Sequence, residues 1–204
     1  MLGTMVEHSW IAETALRAQS GDEAAFERLA AHFRAAVTAV TFTRVKGRED
    51  AEDLTQEVLV MAREKLRDLH DPEAFYGWLR TTALNVCRTW NRRPRIWPDS
   101  LDAEEWSLSL RDPSPGPLEA LLARERQRDW RRALRMLPET NRIALLMHVW
   151  GGYPYEEIAA FAGVSVGTVA GRIHRAKSQL RRVLRSGAGE LLGEPRRRWR
   201  EEDK

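Results

Sequence analysis

The sequence predicts an all-α fold: two small helical bundles joined by a flexible acidic linker, the second bundle ending in a helix-turn-helix. Three observations lead there. Apolar residues recur at steps of three and four in several segments, and no long segment alternates as a half-buried strand would. Pro94, Pro98, Pro113, Pro115 and Pro117 break the helical spacing in mid-chain. Charge then changes sign: residues 1–120 carry 15 Lys+Arg against 20 Asp+Glu, and residues 121–204 carry 18 against 10.

The first bundle is expected within residues 1–95. In "GDEAAFERLAAHFRAAVTAV" one face holds Phe26, Leu29, Phe33, Val37 and Val40. In "EDAEDLTQEVLVMAREKL" the stripe is Leu54, Val58, Met61 and Leu66. After the loop "RDLHDP", "EAFYGWLRTTALNVCRTWNRR" sets Phe75, Trp78, Leu79, Thr82, Val86 and Trp90 on one face. That spacing assigns Trp78 to the core and leaves Tyr76 off the stripe.

Residues 96–117 read as linker. From Ile96 to Glu119 there are six acids and one arginine, and the stretch is too long for an ordinary connection inside a compact domain. The second bundle is expected over 118–185: helical spacing from Leu118 to Met136, the break "LPET", a helix over Asn141–Trp150 closed by Gly151-Gly152, then Tyr155–Ala162 and Val166–Leu184. Residues 186–204, with glycine, proline and mixed charge, read as a frayed tail.

Composition excludes several classes. No apolar run approaches the roughly twenty residues needed to cross a bilayer, so no membrane insertion is expected. No basic-then-apolar leader opens the chain, and the lone Cys87 can form no internal disulfide, so a cytoplasmic protein is expected. Metal-ligand spacing, a nucleophile elbow and a phosphate-binding glycine loop are all missing from the sequence. The expectation is therefore a non-enzyme with no catalytic residue, no cofactor and no metal.

The stretch "GVSVGTVAGRIHRAKSQLRRVL" carries Arg172, Arg175, Lys177, Arg181 and Arg182 without one carboxylate. Val166, Val169, Ile173, Ala176, Leu180 and Val183 form its core stripe, with Gly171, Arg175, Ser178 and Arg182 opposite. Ser165 suits an N-cap and Gly163 a left-handed helix end. A short helix, a tight turn and a longer basic helix make a helix-turn-helix, whose second helix enters the DNA major groove. Phosphates attract arginine and repel carboxylates, which favours this reading over a merely solvated basic face.

The full segment "LPETNRIALLMHVWGGYPYEEIAAFAGVSVGTVAGRIHRAKSQL" resembles the fourth conserved region of bacterial sigma-70-family initiation factors of the extracytoplasmic-function (ECF) group, with "LPE", "YEEIA", "VGTV" and "RIHRA" in that order and spacing. "GDEAAFERL", "DAEDLTQEV", "FYGWL" and "ALN" resemble the second region. The resemblance implies a factor that binds core RNA polymerase and directs it to the −10 and −35 elements of promoter DNA. It also implies an anti-sigma factor among the partners.

Residue roles follow from that resemblance alone. Asp53, Leu54, Gln56 and Glu57 match the segment that docks on polymerase; without the resemblance they read as a solvated acidic face over a core stripe. The loop Leu69–Glu73, with His70 and Asp71, matches the segment that captures a flipped −10 base, and Asn85 matches an assisting asparagine. Short polar groups can read such a base on its Watson–Crick edge. Tyr76 is a candidate stacking platform, and Arg88 and Arg92, with Arg80, Arg93 and Arg95, are candidate backbone contacts. The −35 readers map onto Ala170, Gly171, His174 and Arg175, with Tyr155, Thr168, Arg172 and Lys177 toward the phosphates. Relatives often carry arginine and serine at the positions of Ala170 and Gly171, an aromatic at Leu69, glycine near Asp71, and serine or threonine at Pro154. The alternative from another class is a dimeric helix-turn-helix repressor with a helical regulatory domain.

Overall fold

The computed structural model describes residues 2–45, 47–92 and 128–187. The expected linker 96–117, the first part of the expected second bundle, Arg93, Arg95 and the tail beyond 187 lie outside the described residues.

Every regular element among the described residues is helical. The N-terminal half comprises α1 (Leu2–Gln19), α2 (Glu23–Phe42), α3 (Arg48–Lys65), two single 3₁₀ turns (Leu66–Asp68 and Pro72–Ala74) and α4 (Phe75–Arg92). The C-terminal half comprises α5 (128–135), α6 (Glu139–Gly151), α7 (Tyr155–Ala162) and α8 (Val166–Gly187). Helix α1 was not signalled by apolar spacing. It buries Ile11, Ala12 and Ala15, a narrow and partly alanine stripe.

Local chemistry sets the helix ends. Asp22 caps α2 by accepting a 3.0 Å hydrogen bond from the Ala25 amide, which with Arg17 holds its carboxyl below the usual range. Gly21 takes φ +99° at the α1–α2 corner, where an L side chain would be strained. The expected stripes are largely buried: Leu29, Phe33, Val37 and Val40 on α2, Leu54 and Val58 on α3, and Phe75, Leu79 and Val86 on α4. Tyr76 and Trp78 exchange their expected positions. Tyr76 is buried with its ring edge-on to Phe33 at 5.2 Å, and Trp78 is half-buried. The rotation brings Phe75 and Tyr76 together onto α2, so the stripe of α4 begins wider than simple spacing suggests.

The halves pack on one another, which no local pattern foretells. Helix α6 lies on α2 and α7 on α4, giving a continuous core. Phe42 and Trp150 meet edge-to-face at 5.1 Å. The Tyr153 hydroxyl donates to the backbone carbonyl of His32. The His32 ring sits 2.8 Å by its Nε2 from Oε2 of Glu157, a carboxylate with almost no solvent exposure. Gly151 permits this approach, since a Cβ there would fall 2.4 Å from the Tyr153 ring and 3.2 Å from Ala35. Arg44 and Glu139 close the edge with a 2.6 Å ion pair.

Cys87 is fully buried on α4 close to that pair. Burial pushes its thiol up from 9.0 to about 11, and burial likewise raises the Tyr153 hydroxyl. Both groups are held in their neutral forms. The thiol's contribution to stability is thus complete below its unfolded value and is lost as pH rises from about 9 toward 11, by up to roughly 3 kcal/mol, while that of the Tyr153 hydroxyl is lost only at higher pH. Two outcomes are expected: Cys87 resists alkylation at pH 8 in the native protein, and the denaturant midpoint falls between pH 9 and 11. Rapid native labelling at pH 8 would show that the thiol is not enclosed.

Candidate polymerase- and promoter-binding surfaces

Helix α3 presents the acidic surface. Its register is fixed by Thr55, whose hydroxyl donates to the Ala51 carbonyl at 2.6 Å and lies 2.9 Å from the Thr41 hydroxyl of α2. With that face inward, Leu54 is 0% exposed and belongs to the core rather than to any outer surface. Asp53 and Gln56 point to solvent and Glu57 is half-buried. Glu49 and Asp50 occupy the first turn, where the helix dipole favours negative charge.

The loop before α4 displays two polar side chains between two anchors. Leu69 is buried, so its side chain supports the loop from within. His70 and Asp71 are exposed, and Asp71 accepts a 3.0 Å hydrogen bond from the Glu73 amide, capping the 3₁₀ turn Pro72–Ala74. Asn85, Arg88 and Arg92 are exposed on α4, at spacings that share a face. Asn85 accepts a 3.0 Å hydrogen bond from Arg88 through its side-chain oxygen. Tyr76, buried against Phe33, offers no open ring face.

The second bundle forms the expected helix-turn-helix. Gly163 ends α7 at φ +65°, and the Ser165 hydroxyl caps α8 by accepting from the Thr168 amide at 3.2 Å. The Thr168 hydroxyl stays 2.9 Å from Ser165. Val169, Ile173, Ala176 and Leu180 are buried, whereas Val166, in the first turn, is 40% exposed. His174, Arg175, Ser178, Arg181 and Arg182 face solvent; Thr168, Ala170, Gly171, Arg172 and Lys177 are half-buried. The Arg175 guanidinium folds over Gly171, where a Cβ would come within 3.2 Å of Nη1. Tyr155 is half-buried, its ring edge-on to His148 at 5.1 Å. Gln179 donates to the Met136 carbonyl at 3.0 Å, fixing α8 against the end of α5.

Comparison with known proteins gives this architecture a family. The family profile of Sigma-70 region 2 matches residues 29–95, and that of Sigma-70, region 4 matches residues 127–180. The ECF RNA polymerase sigma-E factor of Escherichia coli (strain K12) is 31% identical over 171 residues, covering 80% of this chain and 88% of that protein. The chain belongs to the sigma-70 family, ECF group. The "Probable RNA polymerase sigma factor RfaY" of Xanthomonas campestris pv. campestris is 31% identical over 168 residues, 82% of this chain. This chain spans only 42% of that longer relative. Among solved structures, CnrH in complex with the cytosolic domain of CnrY matches with a TM-score of 0.57 and 26% identity, covering 88% of this chain and 99% of CnrH.

This ECF sigma factor directs transcription initiation, which sets the repressor alternative aside. No described helix is long and apolar enough to cross a membrane. Two surface features of the sigma factor escaped sequence reasoning. Val60, 49% exposed, shares the outer face of α3 with Asp53 and Gln56; its place off the Leu54–Val58–Met61 stripe was the available signal. Gln19, at the end of α1, donates to the carbonyls of Leu66 at 3.0 Å and Leu69 at 2.5 Å. No sequence pattern marks that contact.

The cap of α8 yields a stability prediction. Ser165→Ala removes the acceptor of the Thr168 amide and should cost about 1 kcal/mol. In a chain of this size, that lowers the thermal midpoint by about 2–4 °C. Calorimetry checks it, and an unchanged midpoint would show that solvent caps the helix equally well.

Proposed function

We propose that this ECF sigma factor divides its work among three surfaces. Core polymerase docks on the outer face of α3 through Asp53, Gln56 and Glu57, with Val60 as the apolar contact. Leu54 supports that face from the core. The −10 element is read by the loop after buried Leu69, through His70 and Asp71, with Asn85, Arg88 and Arg92 along the DNA strand. Tyr76 supports the loop from within. The −35 element lies along α8, with Arg175 and His174 at base edges beside Ala170 and Gly171. Tyr155, Thr168, Arg172 and Lys177 hold the phosphates.

One observation carries the reading: the second helix of the helix-turn-helix exposes an unbroken basic face with no carboxylate in the helix. A duplex attracts such a face through its phosphates, and an arginine with a free guanidinium can engage guanine O6 and N7 together. An anti-sigma factor belongs among the proposed partners; support comes from the family, and CnrH was itself solved in complex with another protein, the cytosolic domain of CnrY. Chemistry is left to the polymerase, and the factor contributes binding energy alone.

Two experiments test the assignment. Replacing Asp53 and Gln56 with alanine should weaken core polymerase binding at least about fivefold, with helical content unchanged. Undiminished affinity in a fluorescence titration would remove α3 from the interface. For the −35 element, Arg175→Ala should cost roughly 1–3 kcal/mol and relax preference at one base position. Lys177→Ala should instead weaken all sequences alike and reduce the salt slope by about one. Binding of a −35 library at two salt concentrations separates these effects. Uniform loss in both variants would reduce Arg175 to a phosphate contact.

A further inference from the structure

The −10 loop is held at one end by a residue fifty positions away. Gln19 is the last residue of α1, and its side-chain amide reaches the turn that ends α3. A primary amide nitrogen carries two hydrogens, and here two backbone carbonyls lie within reach: Leu66 at 3.0 Å and Leu69 at 2.5 Å. Because both partners are acceptors, only the nitrogen can face them. The Leu66 carbonyl also accepts from the Leu69 amide at 3.1 Å, so Gln19 adds a second bond there and braces the Leu69 carbonyl directly; leaving a partly buried carbonyl unpaired is costly.

The consequence falls on the next two residues. The Leu69 side chain is buried and its carbonyl is held by Gln19. Asp71 is tied to the Glu73 amide at 3.0 Å. His70 and Asp71 are therefore displayed over a span whose two ends are fixed independently. Gln19 is itself held firmly. Arg17 donates to one oxygen of Asp22 from Nε at 3.0 Å and from Nη2 at 2.6 Å. The other Asp22 oxygen accepts from the Ala25 amide, and the Ser20 hydroxyl donates to the Arg17 carbonyl at 2.7 Å. These bonds define the corner between α1 and α2 from which Gln19 reaches the loop.

We infer that Gln19 is a positioning residue for −10 base selection: its amide fixes the Leu66–Leu69 turn, and through it the placement of the base-reading side chains. The inference rests on the −10 reading of the loop given above. Gln19 touches no nucleotide in this scheme. Its effect is to pre-organise the loop, so that the fixed groups discriminate between bases without first being ordered.

The test uses the full-length chain with core RNA polymerase and a promoter library randomised across the −10 and −35 regions, read by sequencing the transcripts. The readout is the ratio among the four bases at each position. A variant that merely folds less well lowers every template by one factor and leaves those ratios unchanged. Gln19→Met keeps the length of the side chain without donors; Gln19→Glu keeps its shape and faces the carbonyls with acceptors. Both should flatten one −10 position about fivefold, the worth of a net hydrogen bond. His70→Ala or Asp71→Ala should flatten the same position, and the −35 ratios should stay as in the parent. If the loop variants flatten a position and the Gln19 variants do not, the positioning role is wrong while the loop reading stands. If neither loop variant alters any ratio, the loop reading fails and the positioning role falls with it. A uniform loss of transcription in the Gln19 variants, with ratios intact, reduces Gln19 to a structural brace.

Discussion

Helix α2 is buried from two sides, and the rest of the structure depends on that. Leu29, Phe33, Val37 and Val40 anchor the N-terminal bundle. Phe33 meets Phe75 at 5.2 Å and Tyr76 at 5.2 Å, which orients the start of α4 and hence the loop before it. A ring so enclosed contributes on the order of 3–5 kcal/mol. One residue earlier, His32 faces the C-terminal half. It stands 2.8 Å from Glu157, accepts from the Tyr153 hydroxyl through its carbonyl, and packs edge-on against Phe33 at 4.8 Å. One helix therefore sets both the loop proposed to read the −10 element and the seat of the helix-turn-helix.

The two sides of α2 differ in kind. The inner side is mostly aliphatic or aromatic, with one buried hydroxyl pair, Thr41 and Thr55, between α2 and α3. The outer side combines an aromatic contact, Phe42 against Trp150, with polar pairs at His32–Glu157 and Arg44–Glu139. Burying Glu157 without a partner would be strongly unfavourable, so its place depends on the imidazole beside it. Polar contacts of this sort confer geometric specificity more than net stability, because desolvation offsets much of the attraction. The pairs fix how α6 and α7 seat on α2 and α4, while the apolar residues around them supply the stabilisation. Charge is segregated along the chain as well: no carboxylate in α8 weakens the potential of its basic face toward phosphates.

How much of this was legible in the sequence depends on how far each feature reaches along the chain. The core stripes of α2, α3, α4 and α8 were legible because burial repeats within one helix. So was the α7–α8 turn, since Gly163 and Ser165 do their work within a few residues of themselves. The family's motifs added which outer residues to examine, yet they could not say which way each side chain points. Leu54 turns inward as its place on the α3 stripe predicts, whereas Leu69 and Tyr76 turn inward against apolar surface that local spacing does not register. Helix α1 escaped because alanines fill much of its buried stripe, and small residues weaken an apolar pattern while still packing closely.

Much of what else was illegible shares one physical cause: contacts between groups distant in sequence and polar in character. The hydrophobic effect is non-directional and leaves a periodic trace in composition, which any reader of the sequence can detect. A hydrogen bond needs two particular atoms in register and leaves no trace of its partner. Gln19 looks like any polar residue at a helix end, yet it serves carbonyls 47 and 50 residues away. His32 looks like a surface histidine on an amphipathic helix, yet it accounts for a buried carboxylate 125 residues on. Apolar periodicity thus builds the helices and decides which faces meet, while a few long-range polar contacts decide how the reading groups are aimed. On the proposed reading, specificity for particular bases belongs to that second set, so the fold is written along the sequence and the aim of its side chains is not.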